Sequence, residues 1–269
     1  MSGFSAEWLA LREPFDLRAR NPQVLEAVRA LLQAHSAVRI ADLACGTGST
    51  VRSLHMWLPT RQHWHLVDND PDLLAIARNA IRGQNTELNA IQLDLGNDLE
   101  AVVEAPLELI TMSALLDLVA EDWLEKLLRK VTARGIPVYA ALTYDGRIEL
   151  SPADAFDAAI ISAFNAHQGT DKGFGPALGP AAAAVAIAGF ESSDYRVVYG
   201  NSDWVIGPDD RAMQVELLQG LVSAARGMKT LADADAAAWL VRRAKLVSDG
   251  LSSMRVGHVD LLAFPSATR

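Results

Sequence analysis

The chain has 269 residues, half of them hydrophobic, and a formal net charge of −9. This length and composition suffice for one large folded domain with its own core. The acidic balance disfavours nucleic acid as a partner, because proteins that bind phosphate backbones present clustered Lys and Arg. The single cysteine, Cys45, excludes a disulfide framework within the chain.

The N-terminal segment gives no targeting signal. Residues 1–20 mix acidic, basic and apolar side chains, so they match neither a signal peptide nor a membrane span. The longest apolar stretch, residues 181–188, is too short to cross a bilayer. We therefore expect a cytoplasmic protein without a membrane partner. The sequence leaves formation of a homodimer open.

From about residue 20 onward, helical periodicity and strand-like runs alternate, as in βα units built on a parallel sheet. Asn21 and Pro22 predict a helix start, because Asn caps free amides and Pro fits the first turn. The first five predicted strands cover residues 38–43, 63–67, 90–93, 107–112 and 136–144.

After strand five the alternation loosens. Asp145 and Gly146 predict a tight hairpin turn into residues 147–150. Further helices are predicted over 153–167, 209–226 and 233–248, and further strands over 195–199, 204–206 and 258–264. The predicted fold class is α/β: a doubly wound, mostly parallel sheet of about seven strands flanked by helices. The extra helices after strand five are expected to form a cap.

A glycine turn follows the first predicted strand. Small residues there let a ligand approach the backbone, and the next helix offers free amides. Gly46 and Gly48 have no third glycine at Val51, so the dinucleotide pattern G-x-G-x-x-G is not met. Asp42, ahead of the glycines, would repel a pyrophosphate. It would tolerate a cationic ligand, such as a sulfonium with an α-ammonium group.

With these residues, the chain resembles the class I S-adenosylmethionine-dependent methyltransferases. Their first motif is similar to residues 42–48, with Ala44 in place of its first glycine. The resemblance continues in chain order through residues 66–71, 92–95 and 109–117, and covers about residues 36–145. It implies that S-adenosylmethionine is the cofactor and S-adenosylhomocysteine the product.

The resemblance also implies residue roles. Asp68 is expected to hold the ribose hydroxyls, and Asp94 to accept from the adenine amino group while Leu95 packs on the ring. Arg20 could pair with the methionine carboxylate, or be a plain surface arginine. The cofactor-binding residues expected in full are Asp42, Ala44, Cys45, Gly46, Gly48, Asp68, Asn69, Asp94, Leu95, Ser113 and Arg20.

The same resemblance divides the chain into three parts. Residues 1–35 resemble an N-terminal helical lid, and residues 36–145 form the cofactor-binding core. Residues 146–269 are expected to supply substrate-side insertions and the final strands of the same sheet.

Several subtypes of the family need residues that this chain lacks. The segment after strand four, residues 112–115, is not the Asn/Asp-Pro-Pro-Tyr/Phe loop of enzymes that methylate exocyclic amines of adenine or glutamine. Cys45 lies in the glycine turn and not after strand four, where cytosine C5 enzymes need a nucleophile. The aspartates of metal-dependent catechol-type enzymes are not evident, so no metal is expected.

Candidates for catalysis lie beyond the strand ends. His167 is the best general base by residue type, with a role at the helix end as the alternative. Asp117 follows Ser113 by one helical turn and faces either the methyl group or solvent. Lys172 could contact a carboxylate or phosphate of the substrate. Tyr144 and Trp204 are further expected substrate contacts, although an aromatic residue in a strand is more often core.

The function predicted on this basis is metal-independent O- or N-methylation of a small molecule. The alternatives are a protein or RNA methyltransferase, and an S-adenosylmethionine-binding protein without methyl transfer.

Overall fold

The computed structural model describes residues 4–59, 61–81 and 85–266. The helices in this part of the chain are α1 Ala6–Ala19, α2 Pro22–Leu32, α3 Ser49–Leu54, α4 Pro71–Ala77, α5 Leu95–Val103, α6 Glu121–Arg134, α7 Asp157–Gln168, α8 Ala182–Glu191, α9 Arg211–Met228 and α10 Asp233–Ser248. The strands are β1 Ala37–Leu43, β2 Arg61–Asp68, β3 Thr86–Gln92, β4 Leu109–Ser113, β5 Val138–Ser151, β6 Tyr195–Asn201, β7 Trp204–Ile206 and β8 Ser253–Pro265.

The strands form one eight-stranded sheet in the order β3-β2-β1-β4-β5-β8-β6, with the short β7 paired to β8. Strands β1 to β5 are parallel to one another, and β8 is antiparallel to β5, β6 and β7. This arrangement confirms the predicted α/β fold with a mostly parallel, doubly wound sheet. The carboxyl ends of the parallel strands therefore meet at one edge, where ligands bind in such folds.

Two hydrophobic cores cover the two faces of the sheet. Helices α2, α3 and α4 pack on one face, and α5, α6 and α8 on the other. Asn21 caps α2 as predicted: its side chain accepts from the backbone N–H of Gln23 at 3.0 Å and of Val24 at 3.2 Å. Of the N-terminal segment, α2 belongs to the sheet layer, and α1 lies over the strand ends.

A third core belongs to the cap. It joins α7, α9 and α10 to the first part of β8 and to Phe15 of α1. Helix α8, although it also follows strand five, packs on the sheet beside α6 through Ala186 and Phe190. The cap therefore consists of three of the four later helices.

The hairpin predicted at Asp145 and Gly146 is wrong. Strand β5 runs through this point, and both of its halves pair with β8. The register shifts between the pairs of Tyr144 and Ile148, and Gly146 has a φ of 90°. Because a glycine with positive φ serves a β-bulge as well as a turn, the dipeptide did not distinguish them.

Among the described residues, no helix combines the length and the apolar character needed to traverse a lipid bilayer.

Candidate functional site

A cavity of about 1230 Å³ opens at the carboxyl end of the parallel strands. The ends of β1, β2 and β4 form its floor, α1 covers one side, and the cap helices α7 and α9 supply another wall. The fold therefore brings the glycine turn, the N-terminal helix and the cap to a single site.

The glycine turn after β1 requires unusual backbone angles. Gly46 and Gly48 have φ values of 53° and 83°. A Cβ atom on Gly48 would lie 2.8 Å from Cβ of Ala80, so the turn also packs too closely for a side chain. Ala44 has a φ of 52°, and a residue with a Cβ in this left-handed region costs about 1–2 kcal/mol. Ala44 is therefore small but strained in the place of the family's glycine.

The same strain recurs at two neighbouring strands. Ala114, directly after β4, has a φ of 52°, and Leu142 within β5 has a φ of 55°. Both residues line the cavity, as Ala44 does. Residues in sparsely populated backbone regions cluster at functional sites, where the surrounding structure holds them. Backbone strain thus marks this edge of the sheet independently of the side chains.

Two aspartates end neighbouring strands at the cavity. Asp68 accepts the backbone N–H of Gly46 through Oδ2 at 2.8 Å and that of Asp70 through Oδ1 at 3.0 Å. Asp94 caps α5 and accepts the backbone N–H of Gly96 at 2.9 Å. Because each carboxylate oxygen has more than one lone pair, both aspartates can still accept from a ligand.

Asp42 lies fully buried beneath the glycine turn. Its Oδ1 accepts the hydroxyl of Thr111 at 2.8 Å, and its Oδ2 has no hydrogen-bond partner among the described residues. Burial raises the pKa of Asp42 to about 7, against the opposing effects of Thr111 and the charge of Arg20. The Asp42 carboxyl thus lacks a full complement of hydrogen bonds.

Helix α1 is fixed over the glycine turn by a chain of charged contacts. Arg52 of α3 pairs with Glu13 at 2.5 and 2.7 Å and also donates to the carbonyl oxygen of Thr47 at 2.6 Å. Leu9 lies so close that a Cβ on Gly46 would be 3.1 Å from its Cδ1 atom. The N-terminal helix therefore closes the turn from above.

A cluster of five residues, here called the inner wall, lines the cavity beyond the glycine turn: Arg12, Asp16, Asp117, Trp204 and His258. Arg12 donates to Asp16 through Nε at 3.0 Å and Nη2 at 3.2 Å. The indole N–H of Trp204 donates to Asp16 at 2.9 Å, and the Arg12 guanidinium lies 4.9 Å from the Trp204 ring centre. The charges of Arg12 and Asp16 are thus mutually neutralised.

Asp117 is a buried carboxylate in the short 3-10 turn after β4. Its Oδ1 has no hydrogen-bond partner among the described residues. Burial raises the pKa of Asp117 to about 6, although backbone N–H groups and the charge of Arg12 act in the opposite direction. Above about pH 6 this carboxylate is therefore an ionised acceptor in an enclosed site.

His258 on β8 is buried between aromatic rings. Its ring centre lies 4.6 Å from that of Trp204 and 6.1 Å from that of Tyr144. Its Nδ1 lies 3.1 Å from the carbonyl oxygen of Val256, which places a proton on Nδ1 and leaves a lone pair on Nε2. Burial lowers the pKa of His258 to about 3, so the ring is neutral at working pH.

Residues 40–134, from β1 to the end of α6, match the sequence model of the family described as "Methyltransferase domain". This stretch of the chain is therefore similar to methyltransferase domains. The sequence matches none of the curated proteins with which it was compared.

Solved structures share the fold of this chain. The YcgJ protein from Bacillus subtilis superposes with a TM-score of 0.51 at 11% identity, covering 92% of this chain and 100% of its own. A cyclopropane-fatty-acyl-phospholipid synthase-like protein from Lactobacillus casei superposes with a TM-score of 0.53 at 13% identity, covering 97% of this chain and 95% of its own. At such identities the likeness shows the fold alone.

The residues at the strand ends fit S-adenosylmethionine as a cofactor. Asp42 offers the unpartnered Oδ2 next to the turn where a cationic group would be neutralised. Asp68 and Asp94 offer acceptors at the ends of β2 and β3. When bound, the cofactor supplies a methyl group activated by a positively charged sulfur.

The cavity brings together 13 of the 16 residues that the sequence nominated. The three others do not line it. Asp42 lies beneath the glycine turn, Gly48 is part of the turn, and Arg20 lies in the sheet layer. Arg20 donates to the hydroxyl of Tyr139 at 3.0 Å and is buried, so it is not a surface arginine. The residues that line the cavity are Ala44, Cys45, Gly46, Asp68, Asn69, Asp94, Leu95, Ser113, Asp117, Tyr144, His167, Lys172 and Trp204.

His167 and Lys172 are engaged with each other at the end of α7. The Lys172 ammonium donates to the carbonyl oxygen of His167 at 3.0 Å and to Thr170 at 2.9 Å, and lies 3.3 Å from Nδ1 of His167. An ammonium only donates, so this contact uses the lone pair of His167 Nδ1. The contacts favour the alternative role of His167 at the helix end over that of a base.

The sequence did not nominate Arg12 or His258 as site residues. His258 carried one weak signal, a polar residue at the beginning of an apolar strand. Arg12 carried none, because its place over the cavity depends on how α1 docks. Burial keeps the Cys45 thiol protonated by raising its pKa, in agreement with a filler of the turn.

The Asp42 carboxyl, whose Oδ2 has no hydrogen-bond partner among the described residues, gives a first testable prediction. Its pKa is raised in the folded protein, so the stability it contributes is complete below about pH 4 and lost as the pH rises through about 7. Asp42→Asn keeps an acceptor for Thr111 and removes the ionisation. Urea unfolding without cofactor should show the variant gaining up to about 3 kcal/mol relative to wild type between pH 5 and pH 8.

Asp122→Asn, an exposed exchange of the same kind on α6, should show no such gain. An equal pH dependence in wild type and Asp42→Asn would mean that Asp42 ionises freely in the folded protein.

Proposed function

We propose that the chain transfers the methyl group of S-adenosylmethionine to an oxygen or nitrogen atom of a small molecule, without a metal ion. The observation that carries this proposal is the continuity of the cavity. The strand ends that fit the cofactor and the inner wall belong to the same enclosed space of about 1230 Å³. A methyl group at the glycine turn and an acceptor at the inner wall would therefore lie side by side.

On the cofactor side, we assign Asp68 to the ribose hydroxyls and Asp94, with Leu95, to the adenine. Asn69 and Ser113, which also line the cavity, complete this side. Asp42 would act from beneath the turn by its charge. Arg20 donates to the hydroxyl of Tyr139, and we assign it a structural role at the junction of α1 and α2.

On the acceptor side, residues 146–269 supply the cap and the final strand, and α1 acts as the lid over the cofactor core of 36–145. A small acceptor is favoured because the inner wall is buried beneath α1 and the cap. The net charge of −9 disfavours RNA. In the described part of the chain, no three His, Cys, Asp or Glu side chains are grouped as metal ligands.

The reaction needs alignment more than acid–base chemistry, because the methyl group is already activated. Holding the acceptor atom in line with the methyl group would supply several kcal/mol of the barrier reduction. A base is needed where the acceptor arrives protonated. Asp117 could serve, because it is a buried carboxylate that lines the cavity and its Oδ1 has no hydrogen-bond partner among the described residues.

The direct test is release of S-adenosylhomocysteine from S-adenosylmethionine in the presence of a library of small hydroxyl- and amine-bearing molecules. Calorimetry should first show binding of S-adenosylhomocysteine and no binding of NAD. Binding of NAD alone would contradict the proposal.

Asp68→Ala gives the matching prediction for the cofactor side. It removes two acceptors from the ligand and also frees the backbone N–H of Gly46 and Asp70. The affinity for S-adenosylhomocysteine should fall by about 1–3 kcal/mol in calorimetry. Asp122→Ala, at an exposed position of α6, should bind normally. Unchanged affinity in folded Asp68→Ala would remove Asp68 from the site.

A further inference from the structure

The charges that line the cavity are strongly one-sided. Seven acidic side chains line it, against two basic ones, Arg12 and Lys172. Each basic group is already engaged: Arg12 pairs with Asp16, and Lys172 donates to His167 and Thr170. The cavity therefore offers no uncommitted cation to a carboxylate or phosphate on the acceptor.

The inner wall also contains two acceptors that no donor of the described residues satisfies. Asp117 is buried, and its Oδ1 has no hydrogen-bond partner among the described residues. His258 is neutral and has a lone pair on Nε2, because its Nδ1 proton is directed to Val256. A buried acceptor without a donor is costly, so a ligand that carries N–H or O–H groups is favoured there.

Aromatic rings enclose these acceptors. Trp8 contacts Trp204 edge-on at 6.4 Å, and Tyr144 contacts Phe164 edge-on at 5.5 Å between ring centres. Trp204 has Arg12 over its ring, and the rings beside it that can contact a ligand include those of Trp8, Tyr144 and Phe164. A carboxylate among aromatic rings is the usual environment for an ammonium group.

We propose that the methyl acceptor is a small amine, held as its ammonium ion by the Asp117 carboxylate against the rings of Trp8, Tyr144 and Phe164. This inference rests on the proposed methyl transfer and narrows it to nitrogen. His258 accepts a second N–H of the same group and adds no positive charge to the site.

The chemistry balances with the residues present. An N–H proton of the ammonium passes to the Asp117 carboxylate, which leaves a lone pair on nitrogen. That lone pair forms the bond to the methyl carbon while the carbon–sulfur bond breaks and its electron pair stays on sulfur. The methylated amine leaves with a positive charge, and Asp117 returns its proton to water.

The test compares matched probes in the presence of S-adenosylhomocysteine: benzylamine, benzyl alcohol and benzoate, titrated by calorimetry at pH 7.5. Benzylamine should bind about 10- to 100-fold more tightly than the other two, as expected for a charge-assisted hydrogen bond. With S-adenosylmethionine, product should form from members of an amine library and not from the matching alcohols or acids.

Asp117→Asn identifies the residue responsible. It should remove the preference for benzylamine and leave the affinities for benzyl alcohol and S-adenosylhomocysteine unchanged, which a misfolded protein would not do. Asp122→Asn should keep the preference. Tighter binding or methylation of the alcohol or the acid would overturn the inference and leave methyl transfer standing. Failure of every amine to bind would also overturn it, and failure of S-adenosylhomocysteine to bind would overturn both proposals.

Discussion

Asp117→Asn should lower kcat by about two to four decades, the usual cost of losing a general base. The amide has nearly the shape of the carboxylate but cannot take a proton from the acceptor. The affinity for S-adenosylhomocysteine should be unchanged, because the cofactor side is formed by other residues. The measurement is the initial rate of S-adenosylhomocysteine release with the best acceptor of the library, and Asp122→Asn is the matched control.

The pH dependence gives a second measurement of the same group. The pKa of Asp117 is raised to about 6, mainly by burial, while the charge of Arg12 acts in the opposite direction. The base must be ionised, so kcat/KM of the wild type should rise with pH up to about 6. The variant should lack this limb. A variant with a wild-type rate and the same acidic limb would exclude Asp117 as the base.

Arg243→Met should destabilise the cap by up to about 3–5 kcal/mol, because it leaves the largely buried carboxylate of Asp157 without its charged partner. Arg243 is fully buried, pairs with Asp157 at the beginning of α7 and donates to the carbonyl oxygen of Pro152 at 2.6 Å. Without it, Asp157 keeps only the indole N–H of Trp239 and the backbone N–H of Asp154. Thermal and urea unfolding would measure the loss.

The adjacent Arg242 provides the control. It also pairs with an aspartate, Asp154 at 2.7 Å, but its side chain is half exposed. Arg242→Met should therefore cost much less stability than Arg243→Met. The double variant Asp157→Asn/Arg243→Met should recover part of the stability lost by Arg243→Met, because the unpaired charge is gone. If Arg242→Met and Arg243→Met lost the same free energy of unfolding, burial would not determine the strength of the contact between Arg243 and Asp157.

The local sequence determined the motifs at the carboxyl ends of the parallel strands. The motif around Asp42, Gly46 and Gly48 and the acidic ends of β2 and β3 are each encoded in a few consecutive residues. Parallel strands bring their carboxyl ends to one edge, so the ordered motifs were enough to place Asp68 and Asp94 in one cavity. The helix start at Asn21 and Pro22 was predictable for the same reason, since a cap depends only on its neighbours.

The sequence did not decide the structure at positions where the same local pattern is compatible with two conformations. The Asp145-Gly146 dipeptide suits a hairpin and a bulge equally. The length of β8 decided between them, because it pairs with β5 on both sides of Gly146. Likewise, His167 was a reasonable base by type. Its contact with Lys172 depends on the folded loop and commits the Nδ1 lone pair.

The sequence by itself determined the α/β fold, the cofactor motifs and their order along the chain, because each depends on local propensity and on the periodicity of the strands. Only the tertiary structure decided the inner wall. Arg12, Asp117, Trp204 and His258 come from α1, the turn after β4, β7 and β8, and meet because α1 docks across the strand ends. Their burial, which raises the pKa of Asp117 and keeps His258 neutral, arises from long-range packing that no local pattern records.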